Sequence, residues 1–364
     1  MTSLELSRFI AGLPKAELHV HHVGAASPRI VAELAARHEG FTPVPADPAL
    51  VAEFYDFRDF PHFLQVYLQV VDLVRTPDDL WTLIHGVGGD MAAQQVRYAE
   101  LTITPHLHLV RGFAPQDFCE VIEDARHRVE ADYGTVLRWC FDIPGDFGVP
   151  AADQTLSLAL DERPDGLVSL GLGGGEHGVP RSLFAPHFAA ARAAGLHSVP
   201  HAGEVTGAQC VWDAVRELGA ERIAHGIHSV DDPALLEHLA EHEITLEVCP
   251  TSNVRTRAVP SLADHPLPAL VAAGVPITVN TDDPPMFGTD LNREYAVAAE
   301  LLSLDEQGVA DLARAAVKAS FLGAEGKSAL LARIDAYAAQ NSSAPLTWTM
   351  SKTCREAAQT VSST

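Results

Sequence analysis

Two histidines stand at the end of the first predicted strand, in an arrangement that suits metal binding. The strand covers residues 15–21 and contains His19 and His21. Side chains alternate faces along a strand, so residues two apart point to the same side. Both imidazoles are therefore expected to converge on one point. Later strand-like runs also end in histidine or acid side chains, at His201, His225 and Asp282.

The residue types in this set indicate a single zinc ion. Zn²⁺ is commonly bound by imidazole and carboxylate groups, and a catalytic zinc keeps one position for water. The predicted ligands are His19, His21, His201 and Asp282. Two-metal barrels of related type often add a bridging, carbamylated lysine at the fourth strand. The lysines of this chain are Lys15, Lys318, Lys327 and Lys352. None lies near the fourth predicted strand, so we predict one zinc ion per chain.

Three further residues are candidates for proton transfer and substrate binding. Zinc lowers the pKa of a bound water to about 7, and a neighbouring group must accept the released proton. His225 is the predicted base. Glu204, three residues after His201, is predicted to act as an acid on the substrate. Asp283 adjoins Asp282, so its side chain leaves in another direction and is expected to bind a substrate nitrogen. The alternative role for either acid is to orient the second nitrogen of a histidine ligand.

Short β-branched runs alternate with longer Ala- and Leu-rich runs, and this alternation sets the expected fold. The predicted strands cover residues 15–21, 97–104, 135–143, 167–172, 197–201, 222–225, 245–248 and 276–281. Alternating strands and helices imply a parallel sheet, and eight such units favour a closed barrel. No Gly-x-Gly-x-x-Gly motif follows the first strand, which weakens the alternative of a dinucleotide-binding sheet. We predict an α/β fold, a (β/α)8 TIM barrel with extra helices after strands 1 and 8, whose functional groups lie at the C-terminal strand ends.

Size and composition limit the classes of partner. The chain has 364 residues and a formal net charge of −23 without a Lys and Arg cluster, so neither a nucleic acid nor a membrane surface is expected as a partner. Five scattered cysteines without CxxC spacing suit a reducing compartment. No apolar run is long enough for a membrane span or a signal peptide core. We predict a cytoplasmic protein with one domain over residues 1–341 and a loose tail over residues 342–364. No sequence feature indicates an oligomeric state.

Six short motifs together resemble the adenosine deaminase family of the amidohydrolase superfamily. They are Pro14-Lys-Ala-Glu-Leu-His-Val-His21, Tyr98-Ala-Glu-Leu101, His201-Ala-Gly-Glu204, Arg222-Ile-Ala-His-Gly226, Cys249-Pro-Thr-Ser-Asn253 and Thr281-Asp-Asp-Pro284. The likeness runs from about Leu13 to Leu322, in the order and spacing of the family. The resemblance implies a metal-dependent hydrolase barrel with one zinc ion. Such an enzyme removes the 6-amino group of a purine by hydrolysis, so the expected partner is a small-molecule purine nucleoside.

The resemblance also implies a role for each polar residue of the site. The residue matching His225 positions and deprotonates the water that attacks C6, the residue matching Glu204 protonates N1, and the residue matching Asp283 bonds to N7. A backbone N–H from a glycine after strand four reaches N3. Gly174, in the run Gly171-Leu-Gly-Gly-Gly-Glu176, is the matching position. The alternative for this run is a tight turn without a substrate role.

One departure from the family pattern bears on the substrate. Adenosine-specific members follow the HxH motif with Leu-Asp-Gly, and that aspartate holds the ribose 5′-hydroxyl. This chain has His22-Val23-Gly24 there. Val23 cannot accept a hydrogen bond, so a nucleoside with an apolar 5′ group is expected. The favoured substrate is 6-amino-6-deoxyfutalosine, an intermediate of the futalosine route to menaquinone with a carboxybenzoyl extension at the 5′ position. A second departure is Thr102, where many members have arginine, and it has no explanation in the sequence.

An aromatic-rich segment at residues 54–67 is expected to form an apolar wall beside the 5′ end. Phe60 and Phe63 are the predicted contacts. Arg58, or Arg111 after strand two, is the predicted partner of the benzoate carboxylate. The alternatives are that the phenylalanines belong to ordinary helix core and that the arginines are solvated surface charges.

Other functions make different demands on the sequence. An adenosine deaminase, or a 5′-deoxy- or 5′-methylthioadenosine deaminase of purine salvage, would use the same residues. A barrel hydrolase of esters or phosphoesters would need two metals and a bridging ligand. A catalytically inactive binding barrel would have lost ligands or Glu204, whereas the set is intact here.

Overall fold

The computed structural model describes residues 3–341, and its centre is a sheet of eight parallel strands that follow one another in chain order. The strands are β1 (Lys15–His21), β2 (Val96–Ile103), β3 (Val136–Pro144), β4 (Leu167–Gly173), β5 (His197–Ala202), β6 (Arg222–His225), β7 (Thr245–Val248) and β8 (Ile277–Val279). Each strand pairs in parallel with the next. The predicted (β/α)8 TIM barrel is confirmed.

The barrel is closed between its first and last strands by the residues just after β8. Val20 and Asp282 form a parallel bridge. The backbone N–H of Leu18 donates to the side-chain Oδ1 of Asn280 at 2.9 Å. A side chain therefore takes the place of a backbone acceptor between β1 and the end of β8, two residues before the predicted metal ligand Asp282.

The helices surround the barrel. They are α1 (Ser3–Gly12), α2 (Pro28–Arg37), α3 (Pro48–Phe54), α4 (Phe60–Val71), α5 (Pro77–Ala93), α6 (Pro105–Leu109), α7 (Pro115–Tyr133), α8 (Gly148–Ser157), α9 (Ala185–Ala193), α10 (Ala208–Leu218), α11 (Pro233–Glu241), α12 (Pro250–Arg255), α13 (Leu267–Ala272), α14 (Pro284–Phe287), α15 (Leu291–Leu302), α16 (Glu306–Ala319) and α17 (Ala324–Asn341). Helices α2 to α5 separate β1 from β2, and α14 to α17 follow β8, which confirms the predicted extra helices. Within the described part of the chain, no helix is long and apolar enough to cross a membrane. The predicted tail, residues 342–364, lies outside the described residues.

Helix α4 carries the predicted aromatic wall. It begins after Asp59, whose side chain accepts a hydrogen bond from the N–H of His62 at 2.9 Å, and a proline occupies its first turn. Both features favour a helix start. The hydroxyl of Tyr55, just before this helix, donates to the backbone oxygen of Ala26 at 3.1 Å. This bond ties the segment to the loop that follows β1 and holds it beside the ends of the strands.

A buried ion network joins β2, β6 and β7. Arg222 Nε donates to Glu247 Oε1 at 2.6 Å, and its guanidinium also pairs with Glu100. Arg222 Nη1 donates to the backbone oxygen of Ala319 at 2.9 Å, and the N–H of Phe321 donates to Glu100 at 2.7 Å. The network therefore ties three strands to the segment after α16.

Removing the cation of this network should destabilise the fold. We expect Arg222→Leu to lower the free energy of unfolding by about 3–5 kcal/mol, because it leaves the carboxylates of Glu100 and Glu247 buried without a positively charged partner. Urea denaturation of the metal-free protein measures this change. The control is Arg128→Leu, which removes an exposed pair with Asp132 on α7 and should cost about 0–1 kcal/mol. Equal, small effects of the two substitutions would contradict a stabilising network.

Candidate active site

The four predicted metal ligands come together at the C-terminal ends of β1, β5 and β8. Ring nitrogens of His19, His21 and His201 all lie within 4.8 Å of one another. Asp282 Oδ1 lies 3.3 Å from His21 Nε2 and 3.7 Å from His19 Nε2. His19 Nε2 is buried and has no hydrogen-bond partner among the described residues. Three imidazoles and one carboxylate, with a ring nitrogen of His19 left free, fit a divalent metal ion.

A second group of potential ligands shares His19. One atom each of His19, His225 and Cys249 also lies within 4.8 Å of the others. Burial raises the pKa of the Cys249 thiol well above its ordinary value, and the protonated thiol is a poor ligand. Its sulfur lies 3.7 Å from the backbone oxygen of Glu247, which gives the thiol hydrogen an acceptor. The chemistry therefore favours the first group as the metal site.

Two non-glycine residues of the site have left-handed backbone conformations. The φ angle is 62° for His225 and 66° for Asp282, a region that costs a non-glycine residue about 1–3 kcal/mol. Two hydrogen bonds with β1 hold the backbone of Asp282. Its N–H donates to the oxygen of His19 at 3.1 Å, and its oxygen accepts from the N–H of His21 at 2.9 Å. The strain is therefore offset by barrel closure, which also sets the carboxylate beside the histidines.

The motif Cys249-Pro-Thr-Ser-Asn253, at the start of α12, holds the side chains of Asp282 and His225 in place. Ser252 Oγ donates to Asp282 Oδ2 at 2.6 Å. Asn253 Nδ2 lies 3.1 Å from His225 Nδ1, and its Oδ1 lies 3.2 Å from His265 Nε2. The motif was part of the family resemblance, but the sequence alone did not connect these residues to the site. Only the path of β7 and β8 reveals which side chains they meet.

The same contacts set the tautomer of His225. The backbone N–H of Leu267 donates to His265 Nδ1 at 3.1 Å. Burial lowers the pKa of His265 to about 4, so its neutral ring carries the proton on Nε2 and donates to Asn253 Oδ1. The amide nitrogen of Asn253 then donates to His225 Nδ1. Neutral His225 consequently carries its own proton on Nε2, which lies 3.7 Å from Glu204 Oε2 and 3.8 Å from Asp282 Oδ2.

Glu204 lies on the loop after β5, and a second glutamate positions this loop. Glu176 accepts hydrogen bonds from the N–H groups of Glu204 at 3.2 Å, Val205 at 2.9 Å and Thr206 at 2.8 Å. Burial raises the pKa of Glu204 to about 6. A carboxyl group with this pKa can both accept and donate a proton near neutral pH. The role of Glu176 was not predicted, although it ends the glycine run that was singled out.

One cavity of about 310 Å³ brings most of the predicted residues together. Its lining includes the predicted residues His21, His201, Glu204, His225, Asp282, Asp283, Gly174, Phe60 and Phe63. Tyr67, the last residue of the predicted aromatic segment, also lines it, together with residues that sequence reasoning missed, among them Asp142, Phe147 and Phe287. The ring centroids of Phe63 and Phe287 lie 5.0 Å apart, so α4 and α14 form one aromatic wall. The sequence could not predict that Phe287 joins this wall, because α14 is distant from α4 along the chain.

Three predicted 5′ contacts do not reach this cavity. Val23 is fully buried and Arg58 is exposed, and neither belongs to the cavity lining. Arg111 Nε donates to Asp72 Oδ1 at 2.7 Å, so it is already paired. The expected roles of these residues at the 5′ group stay predictions without a supporting contact. Thr102, the unexplained departure, is buried and borders a small space of about 10 Å³ between the strands, which is too small for an arginine side chain.

Comparison with known proteins identifies the family. A family model described as adenosine deaminase matches residues 14–337. The chain belongs to the adenosine deaminase family. This result confirms the resemblance drawn from the motifs, and it makes the chain a hydrolase that acts on C–N bonds.

Two relatives of this adenosine deaminase family member carry the name aminodeoxyfutalosine deaminase. The protein from Streptomyces avermitilis is 61% identical over 93% of this chain and 95% of its own length. The protein from Streptomyces coelicolor is 62% identical over 92% of this chain and 87% of its own length. An adenine deaminase from Cupriavidus necator is 40% identical over 91% of this chain and 93% of its own length.

Solved structures share the fold of this family member. The crystal structure of an adenine deaminase from Arthrobacter aurescens matches with a TM-score of 0.84 at 32% identity, over 90% of this chain and 99% of that chain. An amidohydrolase from Burkholderia ambifaria with bound zinc matches with a TM-score of 0.85 at 25% identity, over 94% of this chain and 96% of that chain. The family is thus metal-dependent, and His19, His21, His201 and Asp282 are the residues of this deaminase that fit a metal.

Proposed function

We propose that this family member is a zinc-dependent purine nucleoside deaminase with 6-amino-6-deoxyfutalosine as favoured substrate and futalosine and ammonia as products. The observation that carries the proposal is the lining of one cavity. Potential zinc ligands, Glu204 and Asp283 share it with an apolar aromatic wall. The identity of 61% and 62% to two proteins named aminodeoxyfutalosine deaminase supports the choice of substrate. This reaction belongs to menaquinone biosynthesis by the futalosine route.

Three groups of the cavity suit the edge of a purine. Gly174 has a φ of 82°, and a Cβ there would lie 2.6 Å from Asp146 Oδ2, so only glycine leaves this backbone open to N3. Asp283 Oδ1 is buried without a partner among the described residues. Burial raises the pKa of Asp283 well above its ordinary value, which favours the protonated form that can donate to N7. Glu204 is then the residue assigned to N1.

Proton transfer is assigned to Glu204, with His225 holding the attacking water. When bound, zinc supplies the Lewis acidity that makes water a nucleophile at neutral pH. His225 presents its Nε2–H and can donate to the water oxygen. Glu204, 3.7 Å from His225 Nε2, accepts a proton from the water and delivers it to N1. The oxygen bonds to C6, the bond from C6 to the amino nitrogen breaks, and ammonia leaves with the second water proton.

This assignment revises the expectation that His225 takes the proton. A neutral imidazole has one basic nitrogen, and in His225 that nitrogen accepts from Asn253. The nitrogen that faces the reaction carries hydrogen instead. His225 is therefore proposed to orient the water, as the resemblance implies, while the carboxylate of Glu204 acts as the base.

The aromatic wall suits a 5′ substituent that is itself apolar. Phe63 contacts four other rings, with centroid distances of 5.2 Å to Phe57, 5.9 Å to Phe60, 5.0 Å to Phe287 and 6.0 Å to Tyr67. Aromatic faces at these distances favour a further ring over a hydroxyl group. A benzoyl extension can pack here, and a ribose 5′-hydroxyl would lose its water without gaining a partner.

The reaction class is tested by following both products. The purified protein is incubated with 6-amino-6-deoxyfutalosine, and ammonia and the 6-oxo product are quantified together. We expect equal amounts of both, loss of the reaction after metal removal with a chelator, and recovery on addition of zinc. Turnover that survives complete metal removal, or product without ammonia, would refute the proposal.

A further inference from the structure

Asp142 is a buried carboxylate of the cavity that the proposed reaction does not use. It lies near the end of β3, is 3% exposed, and lines the cavity of about 310 Å³ that holds the predicted site residues. Its Oδ1 has no hydrogen-bond partner among the described residues. Burying a carboxylate without a hydrogen-bond partner costs folding free energy. We therefore expect Asp142 to interact with a group that is bound to the protein, such as a water, a metal-bound histidine or a substrate.

Strand β4 is built to make room for this carboxylate. Asp142 pairs with Gly171 in the β3–β4 register. A Cβ at Gly171 would lie 2.6 Å from Asp142 Oδ1, and a Cβ at Gly173 would lie 2.2 Å from Asp142 Oδ2. Any side chain at either position would collide with the carboxylate. Asp142 therefore extends from β3 across the inner face of β4 towards β5.

The inward residue at the end of β5 is His201, one of the proposed metal ligands. Gly171 pairs with Val199, two residues before His201, so His201 points to the same face as Val199. His201 Nδ1 is buried and has no hydrogen-bond partner among the described residues. His201 and Asp142 line the cavity of about 310 Å³ and also border the small space of about 10 Å³. That space is about the size of one water.

We propose that Asp142 is a positioning residue for the metal site. Its carboxylate accepts a hydrogen bond from Nδ1–H of His201 through one water in the space that both residues border, and this keeps Nε2 of the ring free to bind the metal. Metal-bound histidines usually donate their second N–H to such a group, and losing it typically lowers metal affinity by about 10–100-fold. The proposal rests on the proposed metal-dependent function, because it gives His201 the role of a ligand.

His201 Nδ1 and the Asp142 carboxylate have two other candidate partners, and each of them predicts a different effect of removing Asp142. The backbone oxygen of Leu172 also lies near His201, and if it alone fixed the ring, Asp142 would not influence metal binding. Alternatively, Asp142 could accept a hydrogen bond from a ribose hydroxyl of the nucleoside. In that case its loss would raise KM and leave zinc affinity unchanged.

The test measures zinc binding in the absence of substrate. Metal-free protein is titrated with zinc in competition with a chromophoric chelator, and thermal unfolding of the metal-free protein is recorded. We expect Asp142→Ala to raise the zinc Kd by about 10–100-fold without lowering the unfolding temperature, because it removes an unpartnered buried carboxylate. Asp146→Asn is the matched control, since Asp146 lines the same cavity and has no assigned metal role. Its zinc Kd should equal that of the unchanged protein.

Asp142→Asn keeps the shape of the side chain and covers the case in which the alanine variant does not fold. Because a neutral amide oxygen is a weaker acceptor than a carboxylate, the zinc Kd should rise by about tenfold. An unchanged zinc Kd in the folded variants overturns the proposal, whether or not KM rises. Since zinc binding is measured without a nucleoside, this outcome is independent of whether the deaminase reaction itself is found.

Discussion

Glu204→Gln should lower kcat/KM for the nucleoside by about 10²–10⁴-fold, because general acid–base assistance typically contributes that much. Glutamine has the size of glutamate and can still fill the site after β5, but it cannot accept a proton from water or pass one to N1. Glu204 is 7% exposed and lies beside His225, so few waters are available to replace it. Zinc content and thermal unfolding should stay close to those of the unchanged protein.

The matched control is Glu237→Gln, the same substitution on the exposed face of α11. It should leave kcat/KM unchanged. If Glu204→Gln retained more than a tenth of the original kcat/KM with full zinc content, Glu204 would not be the proton-transfer group. The assignment would then pass back to His225, and its ring would have to carry the proton on Nδ1 instead of Nε2.

Asp282→Asn should weaken zinc binding more than any change outside the ligand set. The substitution removes the negative charge of the ligand set and keeps a residue type that tolerates the left-handed backbone found there. Loss of an outer partner typically costs about 10–100-fold in metal affinity, and loss of a ligand should exceed that. Competition with a chelator measures the zinc Kd, and deamination should fall with zinc occupancy.

Ser252→Ala should weaken zinc binding less than Asp282→Asn does. Ser252 donates to Asp282 Oδ2 at 2.6 Å but is not itself one of the predicted ligands. Its removal should raise the zinc Kd by about 10–100-fold, less than the change caused by Asp282→Asn. Equal zinc Kd values for the unchanged protein and Asp282→Asn would rule out Asp282 as a ligand, and Cys249 would then become the candidate for the fourth position.

The fold was predictable because its signal is local. Each strand is a short apolar run, and the observed bounds differ from the expected ones by only a few residues. The last strand shows why the ends were less accurate. Regular pairing in β8 stops at Val279, because Asn280 uses its side chain to bond the backbone of Leu18 and Asp282 adopts a left-handed conformation. These are tertiary interactions, and no periodicity in residues 276–281 encodes them.

The site was predictable to the extent that its residues end strands. His19, His21, His201 and Asp282 could be grouped because the strand ends of a barrel meet at one face. Residues that act from a neighbouring strand or helix left no such signal. Asp142 points across the glycines of β4, and Ser252 approaches Asp282 from α12. Their partners are set by register and packing alone.

Val23 illustrates the limit of argument by analogy with a motif. Its position in the HxH segment suggested a contact with the 5′ group, yet its side chain is fully buried and absent from the cavity lining. An introduced Val23→Asp carboxylate would have to be desolvated, so a loss of stability would accompany any change in specificity. The aromatic wall of Phe63 and Phe287 is the better supported basis for preference at the 5′ position.

The comparison of kcat/KM for 6-amino-6-deoxyfutalosine and adenosine tests the central claim most directly. The two substrates share the purine and differ at the 5′ position, so the ratio isolates the contribution of the aromatic wall. Adenine, 5′-deoxyadenosine and methylthioadenosine complete the series. We expect the highest kcat/KM for 6-amino-6-deoxyfutalosine, intermediate values for the 5′-deoxy and methylthio compounds, and low values for adenosine and adenine. A clear preference for adenosine would contradict the account.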